Sequence, residues 1–460
     1  MMMRVHTRCF SVVFALLAMT GLADAGMYVV EDGKGYNSWP MIQAIGKRLV
    51  CAYSSGSGHS IGEGGRGVFA RVSDDGGRTW SARMPVANDP GEGEVTIGKG
   101  LDGSGAMLLW VRCWSGKRKH HDLYRTTDGI AFAHLATPAL DPMPMQITDV
   151  FTVPKRGLMC LWFAGNYGKG PDQSWGTLES ADNGRTWRQR TVESGLLRRD
   201  WPTEPSAAVL RDGRILVIAR SEDPGTQFQL LSADGGETWT KRRTNIGDVA
   251  QSTPSLVYDP ASDILVNYYF HRGPGTLKRR VTPASVAAER PDAWPTPETI
   301  AWGNRDRPYD SGNANATVTA DGRHFIAYYA GTEKQAKVLV AAVGERTDRA
   351  SWAGRRVVFF GDPVDLGDLA VRLPLVAETY GESGCSREGL LRQVERAKKD
   401  LPTDSVDACI VLLDTDDEAF GAVRRAFPKA QVIRIAAADR SNLADVIETR
   451  LRSILPGRRP

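Results

Sequence analysis

The chain has 460 residues, 58 of them basic and 54 acidic, for a net charge of +4. That near balance, with no basic run interleaved with aromatics, excludes the electrostatic footprint of a nucleic-acid-binding protein and is compatible with an acidic substrate. One large domain plus a smaller one fit in this length.

At the start of the chain, Arg4 and Arg8 lead an apolar run from Phe10 to Leu22 that is closed by Ala23-Asp24-Ala25. Residues 1–25 therefore read as a secretory signal peptide, because the run is too short for a stable bilayer anchor. An uncleaved anchor is the alternative. No later stretch is long and apolar enough to span a membrane, so the expected mature protein is soluble, and secreted or periplasmic. Cys9 lies in the leader, leaving Cys51, Cys113, Cys160, Cys385 and Cys409. An odd, widely spread set suits buried thiols better than a disulfide framework, and no CxxC or HxxxH spacing points to zinc.

Between Gly26 and about Arg355 the text is short strands punctuated by Gly, Asp and Asn. Ser73-Asp74-Asp75-Gly76-Gly77-Arg78-Thr79-Trp80 returns as Ser180-Ala181-Asp182-Asn183-Gly184-Arg185-Thr186-Trp187 and again as Ser232-Ala233-Asp234-Gly235-Gly236-Glu237-Thr238-Trp239. A worn copy runs from Thr126 through Asp128 to Phe132. The step of about 53 residues is that of a propeller or array. Within each copy, Asp can bond nearby backbone N–H groups, Gly supplies positive φ, and Trp packs under the turn. Continuing the step gives worn positions at Trp294 and Trp352. Six units of about four strands each fit the span 26–355, so the expected fold is all-β, a six-bladed β-propeller.

Within this span Thr203-Glu204-Pro205 is followed by Asp212-Gly213 and then Arg220, two short strands that bring Glu204 and Arg220 to neighbouring ends of one hairpin. Spacing alone leaves open a plain surface ion pair.

After about Val357 the periodicity changes. Leu390, Leu391, Val394, Ala397 and Leu401 recur at helical spacing, then Ala408–Leu413 reads as a strand. A second helix uses Phe420, Val423 and Phe427, a strand follows at Val432–Ile435, and Leu443, Val446, Ile447, Leu451 and Ile454 mark a last helix. Residues 356–460 are a small α/β appendage of unknown role. No histidine follows His324, which excludes a serine–histidine hydrolase confined to the tail.

The octapeptides resemble the Asp-boxes of the sialidase (neuraminidase) superfamily, six-bladed propellers in which these turns are structural and remote from the active site. The Glu204-Pro205, Asp212-Gly213, Arg220 series is similar to that family's Asn-Glu-Pro, Asp-Gly, Arg pattern. There the Glu polarises the nucleophile and the Arg binds the substrate carboxylate. The order continues: Gln251-Ser252-Thr253-Pro254-Ser255 resembles the family's Cys-Gln-Gly-Ser strand, and Arg272 would be the next carboxylate-binding arginine, with Arg279 and Arg280 as rivals. Pro308-Tyr309-Asp310-Ser311 looks like the segment bearing the tyrosine nucleophile, which makes that residue Tyr309. A neutral phenol suits sialic acid, whose anomeric carboxylate would repel a carboxylate nucleophile, and arginine forks grip that carboxylate as lysine cannot.

The opening departs from exo-acting sialidases. Tyr36-Asn37-Ser38-Trp39-Pro40 stands where their Arg-Ile-Pro would be, so the first arginine of the usual triad is missing, and the expected Asp in the next loop is not evident. Both features resemble the phage endosialidases, with an Asn-Ala-Trp-Pro opening and a histidine in that loop. His59 is accordingly the candidate proton donor and Glu63 the second. The resemblance implies a glycoside hydrolase acting on a sialoside or related acidic glycan, without metal or organic cofactor. It leaves exo or endo cutting, stereochemistry and oligomeric state open. A propeller polysaccharide lyase and a non-catalytic glycan-binding propeller are the other readings.

Overall fold

Short runs of β-branched and aromatic residues, separated by Gly and Asp turns, fold here into antiparallel sheets whose strands follow one another in chain order. The computed structural model describes residues 26–59, 65–303 except 117, 169, 224 and 250, and 311–343 except 333. Toward the C-terminus it describes 355–362, 375–381, 385–413, 417–436 and 443–455. The leader 1–25, Glu63, Tyr309 and Trp352 lie outside the described residues.

The strands Gly93–Leu101, Met107–Trp114, Lys119–Thr126 and Ala133–Ala136 form one four-stranded sheet. Pro202–Val209 through Thr240–Arg243 form another, Pro254–Asp259 through Glu298–Trp302 a third, and Gln146–Ile147 through Arg188–Leu196 a five-stranded one. An eight-stranded sheet holds the two ends of this region. In it, Tyr36–Ile45 through Met84–Ala87 touch the last set, Ser311–Val318 through Ala336–Val343, at the single parallel pair Tyr36/Ala336. The N-terminal strand Gly26–Glu31 completes that last set by pairing antiparallel with Ala336–Val343.

Burial falls across each sheet. Tyr36–Ile45, Gly93–Leu101 and Pro202–Val209 are buried over most of their length, whereas the closing strands Ala133–Ala136 and Thr240–Arg243 are mostly exposed. Opening strands also pack on one another, Tyr36–Ile45 against Gly93–Leu101 and Ser311–Val318, and Pro254–Asp259 against Pro202–Val209 and Ser311–Val318. They face a narrow common space lined by Met41, Thr96, Gln146, Pro205, Pro254 and Ala314, among others. The arrangement is mostly β and propeller-like. Gly98 and Gly100 permit the closest approach between sheets, since a Cβ there would lie 2.4 Å from Thr148 O and 2.1 Å from Val150 O.

The octapeptides are the turns between third and fourth strands. In the first, the Ser73 hydroxyl donates to Asp75 Oδ1 and accepts from the Gly77 N–H, while the Thr79 N–H and hydroxyl both donate to Asp75. Trp80 Nε1 donates to Gly77 O at 2.9 Å. The same bonds recur around Asp182 and Asp234, and the Asp128 turn keeps those that its sequence allows. The Thr186 backbone and side chain together lower the Asp182 carboxyl to about 2. Trp294 departs from the expected step. It follows the helix Ala284–Glu289, is fully buried, and its backbone N–H donates to Asn245 Oδ1, because Arg290–Ala293 lack the Ser/Thr and Gly that the turn needs.

The five described cysteines are buried. Beyond Arg356 a parallel sheet of Val376–Thr379, Arg356–Gly361, Ala408–Leu412 and Gln431–Arg434 alternates its residues between two helical layers. Val357 and Phe359 meet Ile447 and Leu451 of the helix Leu443–Ile454, while Val358 and Phe360 meet Leu390, Val394 and Val423. Arg356 ties this unit to the sheets by donating to Asp292 Oδ2 at 3.0 Å. No helix among the described residues is long and apolar enough to cross a membrane.

Candidate active site

Antiparallel order puts the starts of the opening strands and the ends of the second strands at one end of the sheets. The Asp-rich turns, between third and fourth strands, fall at the other. At the first end lies a cleft of about 390 Å³ whose walls include His59, Arg112, Tyr167, Arg198, Glu204, Arg220, Glu222 and Arg272. Four of the sequence candidates, His59, Glu204, Arg220 and Arg272, therefore meet in one place.

Bulges aim several of these side chains. Ladder register breaks between Ser38 and Met41, between Thr203 and Ser206, and between Gly312 and Asn315. Within those breaks Trp39, Glu204 and Asn313 take positive φ of 49°, 45° and 47°. Tyr167 and Gln251, also in the cleft wall, share this conformation. Non-glycine residues in this region carry strain of about 1–3 kcal/mol each, and such strain gathers where side-chain placement matters more than ladder continuity.

Glu204 and Arg220 face each other across their hairpin, with Arg220 Nη1 donating to Glu204 Oε1 at 3.0 Å. Arg220 Nη2 donates to Glu222 Oε2 at 3.1 Å, and the Thr203 hydroxyl donates to Glu222 Oε1 at 2.6 Å. The Thr253 hydroxyl donates to the second oxygen of Glu204. Burial alone would lower the Arg220 guanidinium; the charges of Glu204 and Glu222 reverse this and hold it above its ordinary value. Arg272, 8% exposed, is aimed by carbonyls: Nε donates to Ser311 O at 3.1 Å and Nη1 to Gln251 O at 2.8 Å. Its sequence rivals point elsewhere. Arg279 pairs with Glu298 at 2.8 Å and Arg280 with Asp248 at 2.7 Å, and neither lines the cleft.

His59 lies just past the strand Arg48–Gly56, where its Nδ1 is 2.6 Å from the Tyr36 hydroxyl. Its ring stands edge-on to Tyr36 and Trp39, so the Tyr36–Pro40 motif supports the histidine, and Arg66 lies over the Trp39 ring at 4.9 Å.

Sequence reasoning missed Arg112, Arg198, Tyr167 and Glu222. Arg112 interrupts the apolar run Leu108–Trp114, and Glu222 shares the strand face of Arg220 two residues earlier; both are signals legible in the chain. Arg112 Nη1 donates to Met145 O at 2.8 Å, and burial lowers its guanidinium from the usual value. Desolvation by the surrounding cleft wall, and then the Glu204 and Glu222 charges, push the Tyr167 phenol up, although the residue as a whole is partly open to solvent. Among the described wall residues, the four guanidinium groups of Arg112, Arg198, Arg220 and Arg272 face the two carboxylates of Glu204 and Glu222. The excess is positive.

Residues 141–362 match the BNR repeat-like domain, and residues 71–82 match the BNR/Asp-box repeat. The chain carries Asp-box repeats on the fold of the sialidase superfamily. No curated protein matches its sequence. Among solved structures it resembles a Dyadobacter fermentans protein of unknown function, at 16% identity and a TM-score of 0.60, over 71% of this chain and all of that one. Trypanosoma rangeli sialidase superposes with a TM-score of 0.50 at 11% identity over 68% of this chain, which spans 55% of the sialidase's length. The phage phi92 endosialidase gives 0.51 at 11% identity over 70% of each chain. At such identities the likeness concerns the Asp-box propeller fold.

Proposed function

We propose that this protein is a glycoside hydrolase of the sialidase type, exported from the cell by its leader, that cleaves sialic acid or a related acidic sugar from glycans. The observation that carries the reading is the shared cleft of His59, Glu204, Arg220 and Arg272 with its excess of guanidinium groups. We read the sheets as a ring of six blades, with the eight-stranded sheet counted as two; opening strands from each set bordering one common space support that count.

In this reading Arg220 and Arg272 grip the sugar carboxylate, each charge-assisted contact contributing about 1.5–3 kcal/mol. Tyr309 attacks the anomeric carbon as its phenolic proton passes to Glu204. The glycosidic bond breaks and its oxygen takes a proton from His59, whose ring the Tyr36 hydroxyl orients, with Glu63 as the alternative donor. Water then releases the sugar from Tyr309 by the reverse proton path. The role given to Tyr309 draws support from Ser311, two residues on in the chain, whose carbonyl accepts from Arg272.

The test is release of fluorophore from a sialoside and shortening of polysialic acid. Turnover of either substrate, lost in Glu204→Gln, supports the proposal. If both survive along with other 2-keto acid glycosides, the reading is wrong. Glycan binding without turnover, unchanged in Glu204→Gln, would mark a binding propeller instead; the engagement of Arg220 by two carboxylates is the observation favouring that second reading.

A further inference from the structure

Behind the cleft wall, on the opposite face of the strand that carries Arg112, is a second group of chemically active side chains. Cys113 lies beside Glu92 and His120, and one ligand atom from each lies within 4.8 Å of the others. Asp122 adjoins them. Its Oδ2 is 3.6 Å from Cys113 Sγ and 3.5 Å from His120 Nε2. A tetrahedral zinc ion, with Zn–S near 2.3 Å and Zn–N or Zn–O near 2.0–2.1 Å, sets its ligand atoms roughly 3.3–3.6 Å apart. Thiolate, imidazole and carboxylate are also the donor set that such an ion selects.

Two further observations point to a ligand. Glu92 Oε2 is buried and makes no hydrogen bond, an arrangement that native proteins avoid unless something else satisfies the atom. Asp122 is also held as a metal-ligating carboxylate is held, its other oxygen meeting the Thr137 hydroxyl at 2.5 Å and His134 Nε2 at 3.4 Å. The ligands come from a loop and two adjacent strands, so no linear spacing announces them.

We propose that Glu92, Cys113 and His120, with Asp122 as fourth ligand, bind one divalent transition-metal ion of the zinc class, outside the glycan cleft. Binding releases the Cys113 thiol proton as the sulfur becomes a thiolate. The ion ties the loop around Glu92 to the strands Met107–Trp114 and Lys119–Thr126. That loop is in turn fastened to the chain leaving the His59 region, since the Gly65 N–H donates to Glu92 O at 3.2 Å and the Glu94 N–H to Arg66 O at 2.9 Å. The metal is thus a clamp for the cleft wall and takes no part in bond cleavage.

The experiment uses the full-length, tag-free protein, stripped with a chelator and titrated with Zn²⁺ alone and with Co²⁺ alone. One ion per chain is expected, with Co²⁺ giving a thiolate-to-metal absorption band in the near ultraviolet. Cys113→Ser should abolish that band, and Thr137→Val, which removes the hydroxyl that supports Asp122 directly and contacts His134, should weaken Zn²⁺ binding by about 10–100-fold. Should Cys113→Ser fail to fold, His120→Gln, at a partly solvent-exposed residue, removes a ligand while keeping the thiol and should weaken Zn²⁺ binding by at least as much as Thr137→Val. The proposal is overturned if no stoichiometric ion is retained, if the Co²⁺ protein lacks the thiolate band, or if the folded variants bind Zn²⁺ as tightly as wild type.

Discussion

Glu204 and Arg220 are 16 positions apart and meet at 3.0 Å because one hairpin folds Thr203 opposite Arg220 and a bulge then swings Glu204 toward the cleft. The pair is largely buried, with side chains 8% and 14% exposed, and Glu222 completes it from the same strand end. Replacing Arg220 by Met leaves two buried carboxylates without their cation. The expected loss is roughly 3–5 kcal/mol of stability, read by urea unfolding near neutral pH. An unchanged midpoint would mean that solvent screens the carboxylates.

Glu204→Gln keeps the shape of the side chain and removes its basicity. Turnover of a fluorogenic sialoside should fall by about 10²–10⁴-fold, with the melting temperature changed far less than in Arg220→Met. Tyr309→Phe should lose turnover in parallel while retaining glycan binding. A fully active Tyr309→Phe would reassign the nucleophile, with Tyr167 in the cleft wall as the next candidate.

Arg112 and Arg198 enlarge the positive wall beyond the two arginines that resemblance supplied. Arg112→Gln should raise KM for an acidic glycan by about tenfold or more, corresponding to loss of one charge-assisted hydrogen bond, with a smaller change in kcat. Steady-state kinetics on a short and a long substrate would show which end of the glycan it meets.

Acid should destabilise the fold through His324. Burial, with Arg279 nearby, lowers its imidazole to about 4, and its Nδ1 is 2.7 Å from the Tyr268 hydroxyl. The unfolded chain, with a histidine near 6.5, binds the proton first. Stability is therefore complete above about pH 6.5 and declines as pH falls toward 4, by about 2–3 kcal/mol from this group. His324→Gln should flatten the pH dependence of the urea midpoint between pH 7 and 4.5; an equal slope in both proteins would remove His324 as its cause.

The features legible in the chain were those written locally. Each Asp-rich turn closes through bonds spanning two to four residues, so its residues had to sit together in the text. The Glu204–Arg220 pair followed from a single hairpin, and the helices of the tail from their apolar spacing. Thr253 meets Glu204 across 49 positions and Arg272 meets Ser311 across 39, contacts created only when neighbouring sheets pack. Sequence order alone could not separate Arg272 from Arg279 and Arg280. Their carboxylate partners Glu298 and Asp248 make the distinction, and both lie on other segments.

The pairing of Gly26–Glu31 with Ala336–Val343 has a consequence for biosynthesis. Gly26–Glu31 waits for a partner made more than three hundred residues later, so their sheet stays incomplete while the strands between them are synthesised. Once synthesised, and until Gly26–Glu31 docks, Ala336–Val343 offers an unoccupied ladder to any extended peptide. Another copy's leading strand is the best-matched competitor, which makes exchanged dimers the characteristic misassembly of this architecture.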